Sequence, residues 1–244
     1  MLVKATPVIG QQHGETVCCA AVDDYGNWLR LYPVSFRTLE DAQKFGRWDR
    51  IRFRWRSPRD DLRKESHRVA ADSLEIVGRM KESERSSFLS RIEVNALETE
   101  RREGRSFALL RPRRVISFSA ERKTLDRLKT EEAAILSFHS QDDLFSAKPL
   151  IPRDPCPYTF YYKYETEDGE RRSRCQDWET EATFFKWRQR YGEQDAIDRM
   201  IERFGREYPE KGVVFAMGTH SRWPDTWLLN GVIRLNKTRQ AALL

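Results

Sequence analysis

Residues 50–56 read Arg-Ile-Arg-Phe-Arg-Trp-Arg, so every second side chain is a guanidinium and those between are Ile51, Phe53 and Trp55. A helix, turning about 100° per residue, mixes the two sets, whereas a β-strand sends successive side chains to opposite faces and separates them. The segment is therefore expected to be a strand, with Arg50, Arg52, Arg54 and Arg56 in a row about 20 Å long. Ile51, Phe53 and Trp55 are expected to turn to the core. A guanidinium keeps its charge and offers phosphate a planar fork of donors, so such a row suits a polyanion. Around it, residues 47–68 hold nine Arg or Lys against four Asp or Glu, a local excess of five in a chain whose net charge is +6. Arg59, Arg63, Lys64 and Arg68 join the candidate nucleic-acid-binding set on that ground. Arginines on a strand also guard an edge or bond to acids on the next strand, and the sequence leaves those uses open.

The 244 residues are 39% hydrophobic and 11% aromatic, enough for one large domain or two small ones. Charged residues make up 34%, but they are mixed in sign and interleaved with aromatics, which argues for a folded soluble protein over disorder. No stretch approaches the roughly 18 apolar residues of a membrane span. Met1-Leu2-Val3-Lys4 carries no signal-peptide core. A cytoplasmic protein with no membrane partner is expected. Cys18, Cys19, Cys156 and Cys175 form no CxxC pair, so buried free thiols are expected in place of disulfides or zinc ligands.

Short apolar runs predict strands at Leu2–Ile9, Glu15–Val22, Asn27–Val34, Asp49–Arg56 and His67–Val77, with a short helix at Thr38–Phe45. Helical spacing appears at Ser83–Val94 and Thr124–Phe138, and Phe107–Phe118 reads as extended with an interruption at Pro112. Four prolines in residues 149–157 mark a connection. It divides an N-terminal barrel-like domain with helical insertions (1–148) from a C-terminal α+β subdomain (158–244). In the latter, Tyr158–Thr166 and Glu170–Trp178 predict a hairpin, Thr180–Tyr191 and Gln194–Arg206 helices, and Gly212–Gly218 and Asp225–Leu235 strands. The expected class is α+β, with one or two small antiparallel barrels, OB-like or PUA-like, and accessory helices.

Tyr158, Phe160, Tyr162 and Tyr164 share one strand face. Packing against the Phe184, Trp187, Tyr191 stripe of the next helix is the expected use of that face. Arg171, Arg172 and Arg174 on the returning strand are candidates for ligand contact. The loop Gly218-Thr219-His220-Ser221-Arg222-Trp223-Pro224-Asp225 mixes a titratable His with Arg and Trp, a combination that binds a base or a phosphate. His220, Arg222 and Trp223 therefore join the binding set, while Gly218, Pro224 and Asp225 alone suffice for a plain hairpin connection, and the sequence leaves both uses open. Asp177 and Glu179 suit a helix N-terminus. The chain lacks a Walker loop, GxGxxG, HExxH, GxSxG and the zinc-deaminase spacing. Neither catalytic residues, a metal nor a cofactor is expected.

Gly14-Glu15-Thr16-Val17-Cys18-Cys19-Ala20-Ala21 and Gly26-Asn27-Trp28-Leu29-Arg30-Leu31-Tyr32-Pro33-Val34 together resemble the opening of prokaryotic proteins with a dual OB-containing domain. The resemblance covers about 20 N-terminal residues and implies two OB-like barrels that bind nucleic acid in mobile-element or defence settings. OB-like barrels hold oligonucleotides on a strand face and its loops. The leading expectation is an accessory protein or complex subunit that grips a nucleic-acid backbone, DNA or RNA, alongside other protein subunits. An enzyme acting on nucleic acid or nucleotides at the Gly218–Asp225 loop, and a subunit whose arginines meet an acidic protein partner, are the competing expectations.

Overall fold

The computed structural model describes residues 1–10, 14–142, 154–220 and 223–235. The N-terminal strands are β1 (Val3–Lys4), β2 (Val8–Gly10), β3 (Gly14–Val22), β4 (Trp28–Val34), β5 (Asp49–Arg52), β6 (Trp55–Arg56), β7 (Ser66–Val69) and β8 (Glu75–Arg79). They form an open sheet ordered β1-β3-β4-β7-β6, with β2 also paired to β3. β4 runs parallel to β7, with Arg30 beside Ser66 and Leu31 beside His67. One face of this sheet, including Val17, Cys19, Leu31 and Val69, packs on Phe36, Phe45 and Leu74 as the N-terminal core.

The expected single strand over Asp49–Arg56 is broken at Phe53 and Arg54, because its two ends recruit different partners. β5 pairs with β8 in a separate ribbon, while β6 pairs with β7, setting Trp55 opposite Val69 and Arg56 opposite Arg68. At the break, the Arg54 N–H donates to Ser73 Oγ (2.8 Å) and its carbonyl accepts from the Ala70 N–H (3.0 Å). The four arginines therefore do not form one row. Phe53 packs on the core as expected, but Trp55 is 54% exposed. The predicted helix at Thr38–Phe45 is likewise replaced by 3₁₀ turns at Phe36–Thr38 and Asp41–Gln43. Gln43 Nε2 there donates to the carbonyls of Ala71 and Leu74.

The chain continues through α1 (Glu82–Ser90), β9 (Glu93–Val94), α2 (Glu98–Arg102), β10 (Phe107–Leu110), β11 (Arg114–Arg122) and α3 (Leu125–Asp142). Next come β12 (Tyr158–Thr166), β13 (Gly169–Arg174), α4 (Trp178–Tyr191), α5 (Glu193–Glu202), a π-turn at Arg203–Glu207, α6 (Tyr208–Lys211), β14 (Val213–Thr219) and β15 (Trp227–Arg234). Two further sheets result, ordered β15-β14-β10-β9 and β11-β12-β13. β10 pairs with β14 and β11 with β12, so strands on the two sides of the proline-rich segment share sheets. Residues 143–153, most of that segment, lie outside the described residues. The aromatic face of β12 is core: Tyr162 and Tyr164 both lie 4.9 Å from the Phe215 ring, and Tyr162 OH donates to the Phe204 carbonyl.

The architecture is mixed α+β. Among the described residues no sheet closes into a barrel, because β6 and β7 end the first sheet instead of returning to β1. No described helix is long and apolar enough to cross a membrane. The four cysteines are free thiols, and burial pushes Cys156 and Cys175 up to about 12.

Two devices bind the halves of the chain together. A shared apolar core joins Leu2, Val3 and Ala20 to Phe107, Leu109, Val214, Ala216 and Ile233. Asp177, 2% exposed, caps α4 by accepting from the Glu179 N–H. It also accepts from the Val232 N–H (3.0 Å) and from Arg47 Nη2 (3.2 Å). Removing one partner of a buried ion pair strands the other. Asp177→Ala is expected to lower stability by about 3–5 kcal/mol, read from urea unfolding. A loss under 1 kcal/mol, about the size of a single exposed pair, would show that water reaches this junction.

A candidate anion-binding cavity between the halves

Alternation along three neighbouring strands assembles the floor of a cavity of about 390 Å³. Thr16 and Cys18 on β3, Arg30 and Tyr32 on β4, and Ser66 and Arg68 on β7 all line it, each pair two residues apart and so on one face. The same strands turn Val17, Cys19, Leu31 and Val69 to the N-terminal core. The opposite wall comes from the C-terminal half, with Gln176, Thr219, His220, Leu228 and Asn230, and the loop before β7 adds Asp60, Asp61 and Arg63.

Arg30 is the unusual member. It is 4% exposed, its Nη2 donates to the carbonyl (3.2 Å) and hydroxyl (3.3 Å) of Ser106, and its guanidinium lies 4.2 Å over the Phe107 ring. Nη1 points at Cys18 Sγ (3.9 Å) and Nε is buried with no partner among the described residues. The nearby acid, Glu65, instead accepts from the N–H and hydroxyl of Ser106. Burial, helped by the Arg63 charge, pulls the Arg30 pKa down, and Cys18 and Asp61 only partly oppose the fall. Among the described residues no carboxylate lies within ion-pairing reach, taken as 4.0 Å, of this guanidinium.

Around Arg30 the polar groups are differently engaged. Arg63 donates from Nε to Asp61 (2.7 Å) and from Nη1 to the Thr219 carbonyl (2.7 Å), tying the loop to β14. Arg68 is held only loosely, 3.9 Å from Asp60. His67 Nδ1 lies 2.7 Å from the Glu65 carbonyl. A carbonyl only accepts, so Nδ1 carries the proton and a neutral ring leaves Nε2 as an acceptor. The Trp55 indole meets the His67 ring edge-on at 4.1 Å, placing an exposed aromatic beside the cavity.

Of the arginines singled out in the sequence, the structure brings Arg63 and Arg68 to the cavity and Arg56 beside Arg68 on the neighbouring strand. Arg50, Arg52 and Arg54 instead pair across to Asp24 (3.6 Å), Glu75 (3.4 Å) and Asp72 (3.0 Å). Arg59 is exposed on the loop, and Lys64 lines a separate groove with Asp23 and Asp24. Arg171, Arg172 and Arg174 belong to the β11-β12-β13 sheet and do not line the cavity. Arg171 pairs with Asp168, and Arg172 pairs with Glu121 while lying over Tyr161. His220 reaches the cavity, whereas Trp223 is 67% exposed outside its lining and Asp225 is held by Arg101 (3.1 Å). Arg222 lies outside the described residues.

Sequence reasoning missed Arg30, Tyr32 and Cys18. The available signal was a lone charge within Trp28-Leu29-Arg30-Leu31, on the strand face that Trp28 and Tyr32 share.

Residues 87–244 match the family described as Domain of unknown function (DUF8757), and the chain belongs to that family. Residues 1–92 match a second, Domain of unknown function (DUF8758). No curated protein and no solved structure matches the chain. The cavity draws its walls from both matched segments.

Burial alone would raise the Asp61 carboxyl, but hydrogen bonds from Arg63 and Ser66 and the Arg63 charge outweigh it and hold the pKa below its ordinary value. A carboxyl depressed by folding contributes stability that is complete above the unfolded pKa, about 3.9, and is lost as pH falls through the folded value. Asp61→Asn is therefore expected to lower the melting temperature at neutral pH and to flatten its fall below about pH 4. Melting curves that stay parallel to wild type down to about pH 2 would remove Asp61 from the acid response.

Proposed function

We propose that the protein binds nucleic acid through this cavity and the hairpin at its rim, gripping phosphate in preference to reading sequence. The observation that carries the reading is Arg30, a buried guanidinium facing a cavity without a carboxylate in reach among the described residues. A buried charge calls for a counter-charge, and a phosphate seated between Arg30 and the loosely held Arg68 supplies it. The rim fits the rest of a strand. Trp55 is exposed, Arg56 and Arg68 face each other across β6 and β7, and Arg59 stands on the adjoining loop. Cationic grooves with a few exposed aromatics are how proteins hold single strands. Arg50, Arg52 and Arg54, already bonded to acids, take a lesser part. The resemblance of residues 14–34 to dual OB-containing proteins of mobile-element and defence settings supports the same reading.

The enzyme reading rests on His220 and Cys18 lining one cavity. It loses Asp225, which Arg101 holds elsewhere. The binding reading expects no turnover of oligonucleotides or nucleotides with Mg²⁺, Mn²⁺ or Zn²⁺.

Fluorescence anisotropy with labelled single-stranded DNA and RNA tests the proposal. Trp55→Ala is expected to weaken binding by roughly 1–3 kcal/mol per stacked base, with little change in melting temperature because the side chain is exposed. Replacing Arg56 and Arg68 together by Gln should make the dependence of log affinity on log salt shallower by roughly 1.4. Wild-type protein that binds neither strand type at low salt would sink the reading.

A further inference from the structure

A second cleft, of about 790 Å³, shares no lining residue with the first. It is walled by the Gly46–Trp48 turn, α1, the segment from Arg203 to Tyr208 and the end of β15. Among the described residues five guanidiniums line it against two carboxylates, Glu82 and Glu179. Two of the five are spoken for: Arg47 bonds Asp177 and Glu179 (3.3 Å), and Arg79 bonds Asp49 (2.9 Å).

The other three are Arg85, Arg203 and Arg234. Among the described residues none of them has a carboxylate within 4.0 Å, the ion-pairing limit. Each lies over an aromatic ring instead. Arg85 is 4.9 Å from the Trp48 centroid, Arg203 is 5.3 Å from Trp187 and 5.8 Å from Tyr208, and Arg234 is 5.7 Å from Tyr208. An aromatic face orients a guanidinium but leaves its charge available; Arg85 Nη2 also donates to the Met80 carbonyl (3.3 Å), a neutral acceptor that does not cancel the charge. Arg85 Nε is also buried without a partner among the described residues. Arg203 opens the π-turn, a widened helical turn of the kind that recurs at functional sites.

Three unneutralised cations converging from α1, the π-turn and β15 repel one another in a half-enclosed space, and an anion relieves that cost. The cleft is several times larger than a single phosphate needs, and its three forks come from three separate elements. We propose that it is a second anion site, which takes phosphoryl groups in tandem gripped by Arg85, Arg203 and Arg234.

Calorimetric titration of the full chain with inorganic tripolyphosphate at low salt tests this. Tripolyphosphate is expected to bind, and Arg85→Gln and Arg203→Gln should each weaken the cleft's share of that binding by about tenfold, while Arg68→Gln separates any uptake by the first cavity. Arg206→Gln, on the same turn but outside the cleft lining, should leave binding unchanged. Arg234 is exposed, so Arg234→Gln carries the same expectation should either of the other variants fail to fold. A competing oligonucleotide without terminal phosphates distinguishes the source. Displacement of tripolyphosphate assigns the phosphoryl groups to a nucleic-acid backbone, and no displacement assigns them to a free polyphosphate or nucleotide; both outcomes uphold the site. Wild-type protein that does not bind tripolyphosphate, or equal losses in Arg206→Gln and the cleft variants, overturns it.

Discussion

Asp177 accepts hydrogen bonds from three separate parts of the chain: the Glu179 N–H that begins α4, the Val232 N–H on β15, and the Arg47 side chain from the N-terminal half. Burial drives this carboxyl up, against the pull of Arg47, so the site is electrostatically expensive. It persists because the donors converge on it. Arg47 in turn donates to the Val232 carbonyl (2.6 Å), so one residue of β15 is held on both its N–H and its C=O. The β-bridge between Ala5 and Asp177 adds a main-chain link to the same point. Together with the shared apolar core, this junction fixes how the first sheet sits against β14 and β15.

The consequences for the cavity are direct. Its floor is the polar face of β3, β4 and β7, and its far wall is Gln176 and the residues flanking the β14–β15 connection. The two walls belong to different matched families, so neither segment contains the cavity alone. Polar ties close the gap at its edges: Arg63 reaches the Thr219 carbonyl, Ser106 bridges Arg30 to Glu65, and the Thr6 N–H donates to the Gln176 carbonyl. Gly218 marks how close this approach is. A Cβ there would fall 2.6 Å from Asn230 Nδ2 and 2.9 Å from the Phe107 ring, the same ring that Arg30 lies against.

Much of the local structure was legible. Short apolar runs located β3, β4, β12, β14 and β15 to within a few residues, and Pro112 fell in the interruption between β10 and β11. Asp177 proved to be the cap its position suggested, and the aromatic face of β12 proved to be core. The failure at residues 50–56 has a tertiary cause. Alternation in residues 50–56 states which side chains face together only if the segment keeps one partner, and partner choice is a tertiary matter. Once Arg50–Arg52 joined β8 and Trp55–Arg56 joined β7, the alternation no longer described a single surface. Arg30 was overlooked for the opposite reason. It is one charge in an apolar strand, without a local cluster to draw attention, and its meaning comes from Ser106 and Phe107, some 76 residues away.

The break at Phe53 and Arg54 has a last effect, on what the protein offers to its own copies. β6 is the outermost strand of its sheet and only two residues long. A long flat edge presents a row of free backbone donors and acceptors onto which another chain can zip, and short, charged edges deny it. Here the edge is interrupted on one side by the turn at Arg54 and continues on the other into a loop containing Pro58 and Arg59. The molecule can thus hold a large indole out in water without laying down a template for fibrous stacking.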